Sequence, residues 1–521
     1  MTASSVDASS AVIRWGTPRA RGVLATTIVG SSMAMIDGTI VNIALPRIGA
    51  EFGASVAGLQ WIVDGYLLSL AALVLVAGVF GDRYGRRKVY LIGVGLFGGA
   101  SLLCGLAPST TVLVVCRIIQ GVAGALVSPG ALAILQSSFA RDDRARAIGA
   151  WSGLGGVATA IGPLLGGFLV QVWSWRLAFL INPPVAVICI LLAFKFVPES
   201  SDEQAKGKRP DLISSGMIAI GLAGITALLV EAPSEGITNP LVLGAGIAGV
   251  AGLTAFVIRQ RMSANPLVPA ALFANPTFTL ANVLTFAVYT ALGGVMMLMV
   301  LQLQVSLNYP PTLAGLSNLP LTILMLFLSA RSGKLASRIG PKLQLTIGPL
   351  LIAAGMWLLR DVTPGASYVF GVLPGILVFG LGLACVVAPV TATVLAAAPD
   401  HLAGAASGMN NAVARTGGLL AVAVLPAVTS LSGAAYRSPA ALTASWRMAL
   451  LICAGLAVVG GILGLFINNN VLRGPAPSEP EPGPDAPQTP APIEDAPHPG
   501  DCLHCGVEGP PTHVRPSRAT T

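Results

Sequence analysis

A chain of 521 residues that is 54% hydrophobic and only 10% charged lacks the composition of a soluble protein, in which about 25% of residues are charged. Its apolar runs approach the roughly 20 residues that a helix needs to cross a hydrocarbon core about 30 Å thick, and they lack the alternation of a membrane β-barrel. The net charge of +8 sits in short loops between these runs, where it orients a membrane protein and forms no basic face for nucleic acid.

The first segment, 1–21, is polar, carries no signal-peptide pattern and is expected in the cytoplasm. Fourteen spans follow at about 22–45, 59–80, 89–107, 111–135, 149–171, 176–196, 211–231, 240–259, 278–301, 313–331, 343–360, 367–390, 405–431 and 446–468. They group as six helices (22–196), an inserted pair (197–265) and six more (266–470). From 471 to 521 the chain is rich in proline and acid and reads as a disordered cytoplasmic tail. Its His498, Cys502, Cys505 and His513 form only one CxxC pair, a weak zinc signal, so no metal is assigned. Cys104, Cys116, Cys189, Cys385 and Cys453 lie in apolar runs as small packing residues. One set of loops is dense in Arg and Lys, whereas the opposite set holds only Arg47, Arg176, Arg360, Arg437 and Arg447. Positive loops stay inside, so both termini are expected in the cytoplasm.

Asp37 interrupts the first apolar run, in SSMAMIDGTIVNIALP. It lies roughly 12 Å from the outer end of span one, Asp64 roughly 8 Å into span two, and Arg117 roughly 9 Å into span four. The three share one layer of the outer half. Ionisable groups inside a membrane face a cavity or one another and mark ion or substrate paths, so these are candidates for a proton and substrate site. The bland alternatives are a structural Asp37–Arg117 pair and an interfacial Asp64. After span two, in GVFGDRYGRRK, Gly78 permits close helix approach and Gly85 a turn, while Asp82 with Arg83, Arg86 and Arg87 is placed for a charge network. Topological anchoring explains the basic residues but neither the aspartate nor the glycines. In span five, Gly149 and Gly153, and Gly162 and Gly166, are four apart on one face, and Pro163 bends the helix. In span thirteen Arg415, with Asn410 and Asn411, brings polar groups from the second half; spans nine to twelve contain no acid.

An internal repeat accompanies these features. GKLASRIGPK (Gly333–Lys342) matches the loop after span two at Gly333, Arg338 and Gly340, with Ser337 in place of Asp82. SWRLAFLI (Ser174–Ile181) opens span six and SWRMALLI (Ser445–Ile452) opens span fourteen. Repeated halves are a transporter plan, with the substrate site between them near the midplane.

GVFGDRYGRRK resembles the signature loop of the major facilitator superfamily, LVVCRIIQGVAGA (Leu113–Ala125) its helix-four motif, and GPLLGG (Gly162–Gly167) the helix-five motif of its antiporters. MIDGTIVNIALP, LQWIVDGYLL and WRLAFLIN, with fourteen spans, narrow the resemblance to the fourteen-helix drug/proton antiporters of EmrB/QacA type, over Gly22 to about Ile467. It implies an all-α integral membrane protein of the major facilitator fold, with 14 helices as 6+2+6 in two pseudo-symmetric halves of a multi-pass cell-membrane chain. It implies that Gly78, Asp82, Arg83, Gly85, Arg86 and Arg87 form a gating latch, and that the helix carrying Gly162, Pro163, Gly166 and Gly167 seals the transport path.

The expected function is proton-coupled efflux of amphipathic drugs, dyes and antibiotics by alternating access, with Asp37, Asp64, Arg117, Arg415 and Asn411 at the site. The chain is expected to act as a monomer, without enzymatic chemistry or cofactor; small amphipathic molecules, protons and membrane lipid are its partners, and nucleic acid is not. No GxxxxGKS or GxxxxGKT sequence supplies a nucleotide site. An exporter of an endogenous metabolite or lipid fits the same fold. A non-transporting sensor or scaffold is the alternative from another class, although a scaffold has no need of charges at helix-interior depth. Two acids in the first half favour monovalent hydrophobic cations and neutral amphiphiles; their absence from spans nine to twelve disfavours dications.

Overall fold

The structure, a computed structural model, describes residues 13–201, 211–263, 266–399, 402–433 and 435–472. The tail with His498, Cys502, Cys505 and His513 lies outside them. The helices are α1 (Pro18–Phe52), α2 (Val56–Tyr84), α3 (Arg86–Gly105), α4 (Thr110–Ser138), α5 (Arg141–Val172), α6 (Leu177–Phe196), α7 (Leu212–Glu235), α8 (Pro240–Met262), α9 (Pro276–Ser306), α10 (Pro311–Ile339), α11 (Lys342–Leu359), α12 (Tyr368–Ala396), α13 (Ala403–Val428) and α14 (Pro439–Gly464). Among the described residues 13 are long and apolar enough to cross a bilayer; α5 carries the shorter apolar stretch Val157–Val172. Helices are the form that satisfies backbone groups within lipid. Several start on side-chain caps: Thr17, Ser55 and Ser109 accept from Ala20, Gly58 and Val112 backbone N–H.

Several helices run past the spans read from the sequence: α10 continues to Ile339 instead of about 331, and α12 to Ala396 instead of about 390. The first helix continues past Leu45 through Pro46 to Phe52. A proline removes one backbone donor, and a membrane helix packed among neighbours absorbs that loss. The fifth begins at Arg141 instead of 149, so Arg144 and Arg146 ride on its first turns.

The repeat governs the packing. Among the first six helices, α1 packs on α4, α5 and α6, α2 on α4, and α3 on α4 and α6. Each pairing recurs eight helices later: α9 on α12, α13 and α14, α10 on α12, and α11 on α12 and α14. The two sixes meet along two matching seams, α2 with α13 and α5 with α10. The inserted pair breaks this symmetry. Gly221, Gly224, Gly249 and Gly252 bring α7 and α8 so close that a Cβ on Gly224 would lie 2.6 Å from Gly249 Cα. α7 then packs against both α2 and α13, covering one seam and leaving the other bare of it.

Candidate functional site

Arg117 on α4 ties the first half together. Its Nη1 donates to Asp37 Oδ2 of α1 at 2.6 Å and to Gln120 Oε1 at 2.7 Å, and its Nε to Ile62 O of α2 at 3.0 Å. Asp37 Oδ1 also accepts from Gln120 Nε2 at 2.9 Å and Asn182 Nδ2 at 3.2 Å. Ser101 of α3 receives both amides and donates to Phe179 O. The Arg117 guanidinium lies over the Tyr66 ring, 4.3 Å from its centroid. Asp37 is fully buried and Arg117 is 1% exposed, so a charge pair at membrane depth is compensated by a complete hydrogen-bond set. The depth arithmetic that placed Asp37 and Arg117 in one layer is reproduced by this contact. Gln120, three residues after Arg117 on the same face, and Asn182 in WRLAFLIN were the available signals for the rest of the cluster.

Asp64 is placed otherwise. It is fully buried, and neither carboxylate oxygen has a partner. Trp61 and Leu68, on the same stripe of α2, meet the inserted helix: Trp61 Nε1 donates to Glu231 Oε1 at 2.7 Å, and Leu68 clusters with Leu222 of α7 and Leu419 of α13. Thr226, one turn beyond Leu222, is also buried with an unpartnered hydroxyl. Asp64 thus belongs to the seam that the inserted pair covers. Its neighbours Val63, Tyr66 and Leu67 line the central cavity, and it does not.

That cavity has a volume of about 1310 Å³ and lies between the two halves. Met35, Leu70 and Pro129 come from one side, and Leu292, Met296 and Arg415 from the other. It is sealed at the end opposite the α2–α3 loop. There Gln60 Nε2 donates to Val422 O at 2.7 Å, Gln304 Nε2 to Ile43 O at 3.0 Å, Tyr436 OH to Ala54 O at 3.1 Å and Arg437 Nη2 to Gly49 O at 2.8 Å. The glycines of GPLLGG contribute to the same closure. Gly162 and Gly166 pack on Thr39 and Ile40 of α1, while a Cβ on Gly167 would sit 2.6 Å from Pro311 O of α10. At its other end the cavity reaches Gly78, Asp82, Asp211 and Ala403.

The loop residues stand at this mouth. Asp82 Oδ1 accepts from Arg86 Nε at 2.8 Å and Nη2 at 2.7 Å, and Arg83 lies over the Tyr84 ring. Arg87 pairs instead with Glu199, a residue the sequence reading passed over. The Glu199 carboxylate also accepts the backbone N–H groups of Arg87 and Lys88, which open α3. This explains Gly85: its φ is +107°, and a Cβ there would lie 2.8 Å from Glu199 Oε1. The second half repeats the device with an amide, since Asn469 Oδ1 accepts from Lys342 N at 3.2 Å beside Gly340, φ +90°. Asp211, also at the mouth, is held by Arg259 at 3.0 Å and by Ser214.

From the second half, Arg415 and Asn411 reach the cavity wall. Asn410 turns away and accepts from Thr285 Oγ1 of α9 at 3.0 Å. Among the described residues Arg415 has no ion-pair or hydrogen-bond partner, and none forms a cluster able to hold a metal ion.

Comparison with known proteins gives a consistent result. A family model described as Major Facilitator Superfamily matches residues 27–422. The chain is 34% identical over 406 residues to the multidrug resistance protein Stp of Mycobacterium tuberculosis, spanning 78% of this chain and 75% of that protein. It is 35% identical to a tetracenomycin C resistance and export protein of Streptomyces glaucescens, over 77% of this chain and 74% of that one. It is 33% identical to a puromycin resistance protein of Streptomyces alboniger, over 83% and 86%. Its fold resembles that of a POT family transporter crystallised with 5-aminolevulinic acid, with TM-score 0.66 at 15% identity, covering 88% of this chain and 97% of that one.

Proposed function

This chain belongs to the Major Facilitator Superfamily, a family of membrane transporters, and from that premise we propose that it is a proton-driven exporter of amphipathic organic compounds working by alternating access. The observation that carries the reading is the cavity of about 1310 Å³ between two repeated halves, sealed at one end and reaching the basic loops at the other. Drug-sized pockets span about 300–1,000 Å³, so a larger space suits bulky and varied cargo. The names of the relatives, which concern resistance to several antibiotics, support the same reading. By the positive-inside rule the mouth and both termini face the cytoplasm.

Proton coupling is assigned to Asp64. A buried acid without a partner is tolerated in its neutral form and costs several kcal/mol as an unpaired ion, so proton exchange there changes the stability of the α2 seam. Asp37, bonded by Arg117, Gln120 and Asn182, serves as a fixed brace. Asp82 is the latch. In the state closed at this mouth it leaves Arg86 for the first turn of α13, where among the described residues no side chain caps the N–H groups.

The test is efflux from proteoliposomes with an imposed pH gradient. The expected result is accumulation of an amphipathic dye that follows the gradient and collapses with a protonophore. Movement of dye unaffected by the gradient would refute proton coupling, and no movement by folded, inserted protein would refute export.

A further inference from the structure

The ionisable side chains on the cavity wall are few. They are Tyr66, Asp82, Arg117, Asp211, Tyr289 and Arg415. Three of the four charged groups are already engaged. Arg117 is bonded to Asp37 and 1% exposed, Asp82 is paired with Arg86, and Asp211 with Arg259. Asp82 and Asp211 also stand at the mouth, and Asp82 is sixteen residues along α2 from Tyr66, roughly 24 Å away. Asp37 and Asp64, the acids expected to draw cations, are both fully buried and neither lines the wall.

What remains in the middle of the cavity is positive. Arg415 lies twelve residues past Ala403, roughly 18 Å from the mouth end of α13. It is exposed to the cavity and, among the described residues, has no partner. It is close enough to Tyr66 and Tyr289 to act electrostatically on both hydroxyls. Asn411, one turn away, is exposed on the same wall. No helix from α9 to α14 contains an aspartate or glutamate that could neutralise Arg415 from its own half. The nearby walls are apolar: Met35, Leu67, Leu70, Leu292 and Met296.

We propose that this cavity takes amphipathic carboxylates: an anionic head group paired with Arg415, with hydrogen bonds from Asn411, Tyr66 and Tyr289, and a hydrophobic body against the methionines and leucines. A guanidinium presents two parallel N–H groups that match the two oxygens of a carboxylate, and the other guanidinium on this wall, Arg117, is already bonded to Asp37. A lone charge at membrane depth is expensive to maintain, and a ligand that neutralises it gains the corresponding energy on binding. The inference rests on the export reading for its physiological meaning, but binding is measured without transport. It replaces the cation preference that followed from placing Asp37 and Asp64 on the wall.

The test uses three matched fluorescent probes: 11-(dansylamino)undecanoic acid, its primary amide, and the dansylated alkylamine of the same length. Affinity is measured by dansyl emission with purified full-length protein in detergent. Wild type is expected to bind the acid about tenfold or more tighter than the amide, the gain of one charge-assisted hydrogen-bonded pair. Arg415→Gln should bring the acid to the level of the amide and leave the amide unchanged, and Arg415→Lys should retain part of the preference. Tighter binding of the amine than of the acid by wild type would overturn the proposal. So would equal losses for all three probes in Arg415→Gln, the signature of a conformational role. If the acid binds as expected but is not moved by a pH gradient, the export reading fails and this one stands.

Discussion

Asp37→Asn removes the counter-charge of a guanidinium that is 1% exposed and 2.6 Å away. Arg117 keeps its bonds to Ile62 O and Gln120 Oε1, yet neither carries a charge. Leaving one member of a buried pair uncompensated costs about 3–5 kcal/mol. The new amide offers little relief. If its oxygen turns to Arg117, its NH2 meets the donors of Gln120 and Asn182, which both lose an acceptor at about 1 kcal/mol each. The total is large enough to lower the Tm in micelles by several degrees. Arg117→Gln alone strands the carboxylate and should cost a similar amount. The double variant removes both charges and should lose about 2–3 kcal/mol less than the sum of the two single losses. Exposure of the buried thiols Cys104 and Cys116 to a thiol-reactive dye follows unfolding directly. Single variants with wild-type Tm, or a double variant whose loss is the sum of the two, would refute the claim that this pair braces the first half.

Three further outcomes separate the roles. Asp64→Asn should leave the Tm at or above that of wild type, because no partner is lost, while abolishing gradient-driven efflux; a folded variant that still follows the gradient removes Asp64 as the proton group. Asp82→Asn should change stability by less than about 1 kcal/mol, since its pair with Arg86 is partly exposed, but slow turnover with little effect on affinity; unchanged turnover reduces the loop to topology. Burial pushes the Asp211 carboxyl up, but hydrogen bonds from Ser214 and Arg259 outweigh it and hold the group below the ordinary aspartate range. A depressed folded value means the stabilisation is complete above about pH 4 and disappears as pH falls further. The Tm difference between wild type and Asp211→Asn should therefore be constant from pH 8 to about pH 5 and shrink as pH falls below about 4; a difference that does not shrink in acid contradicts this.

Helices were legible because a hydrophobic run of membrane length leaves the backbone no other way to satisfy its hydrogen bonds. The Asp37–Arg117 contact was legible for a similar reason: helix rise converts residue number into depth, and depth selects partners. Facing is harder. Nothing in LQWIVDGYLL says whether Asp64 points at the cavity or at a neighbour, because that depends on where the inserted α7 packs, and glycine contacts with α8 help decide it. Glu199 was missed because it reads as a loop residue after span six. Gly85 was the available clue: a positive φ beside bare helix N–H groups leaves room for an acceptor from elsewhere in the chain.

The two halves share a packing pattern and differ in polar content, and the difference divides the work. In the first half one buried acid and base are matched, so α1, α2, α4 and α6 are bound through Asp37, Arg117 and Asn182 into one block. The contacts that seal the far end are of another kind. Gln60, Gln304, Tyr436 and Arg437 all donate to backbone carbonyls of the opposite half, and water is able to replace each of them. At about 1 kcal/mol for a neutral hydrogen bond, and somewhat more for the arginine, the whole seal is comparable with the single buried pair inside the block. Rotation of one half against the other therefore gives up polar contacts that water replaces, whereas distortion within the first half leaves a buried charge unpaired. A ligand that binds Arg415 on one half and Tyr66 on the other is positioned to bias that rotation, because it touches both bodies and belongs to neither.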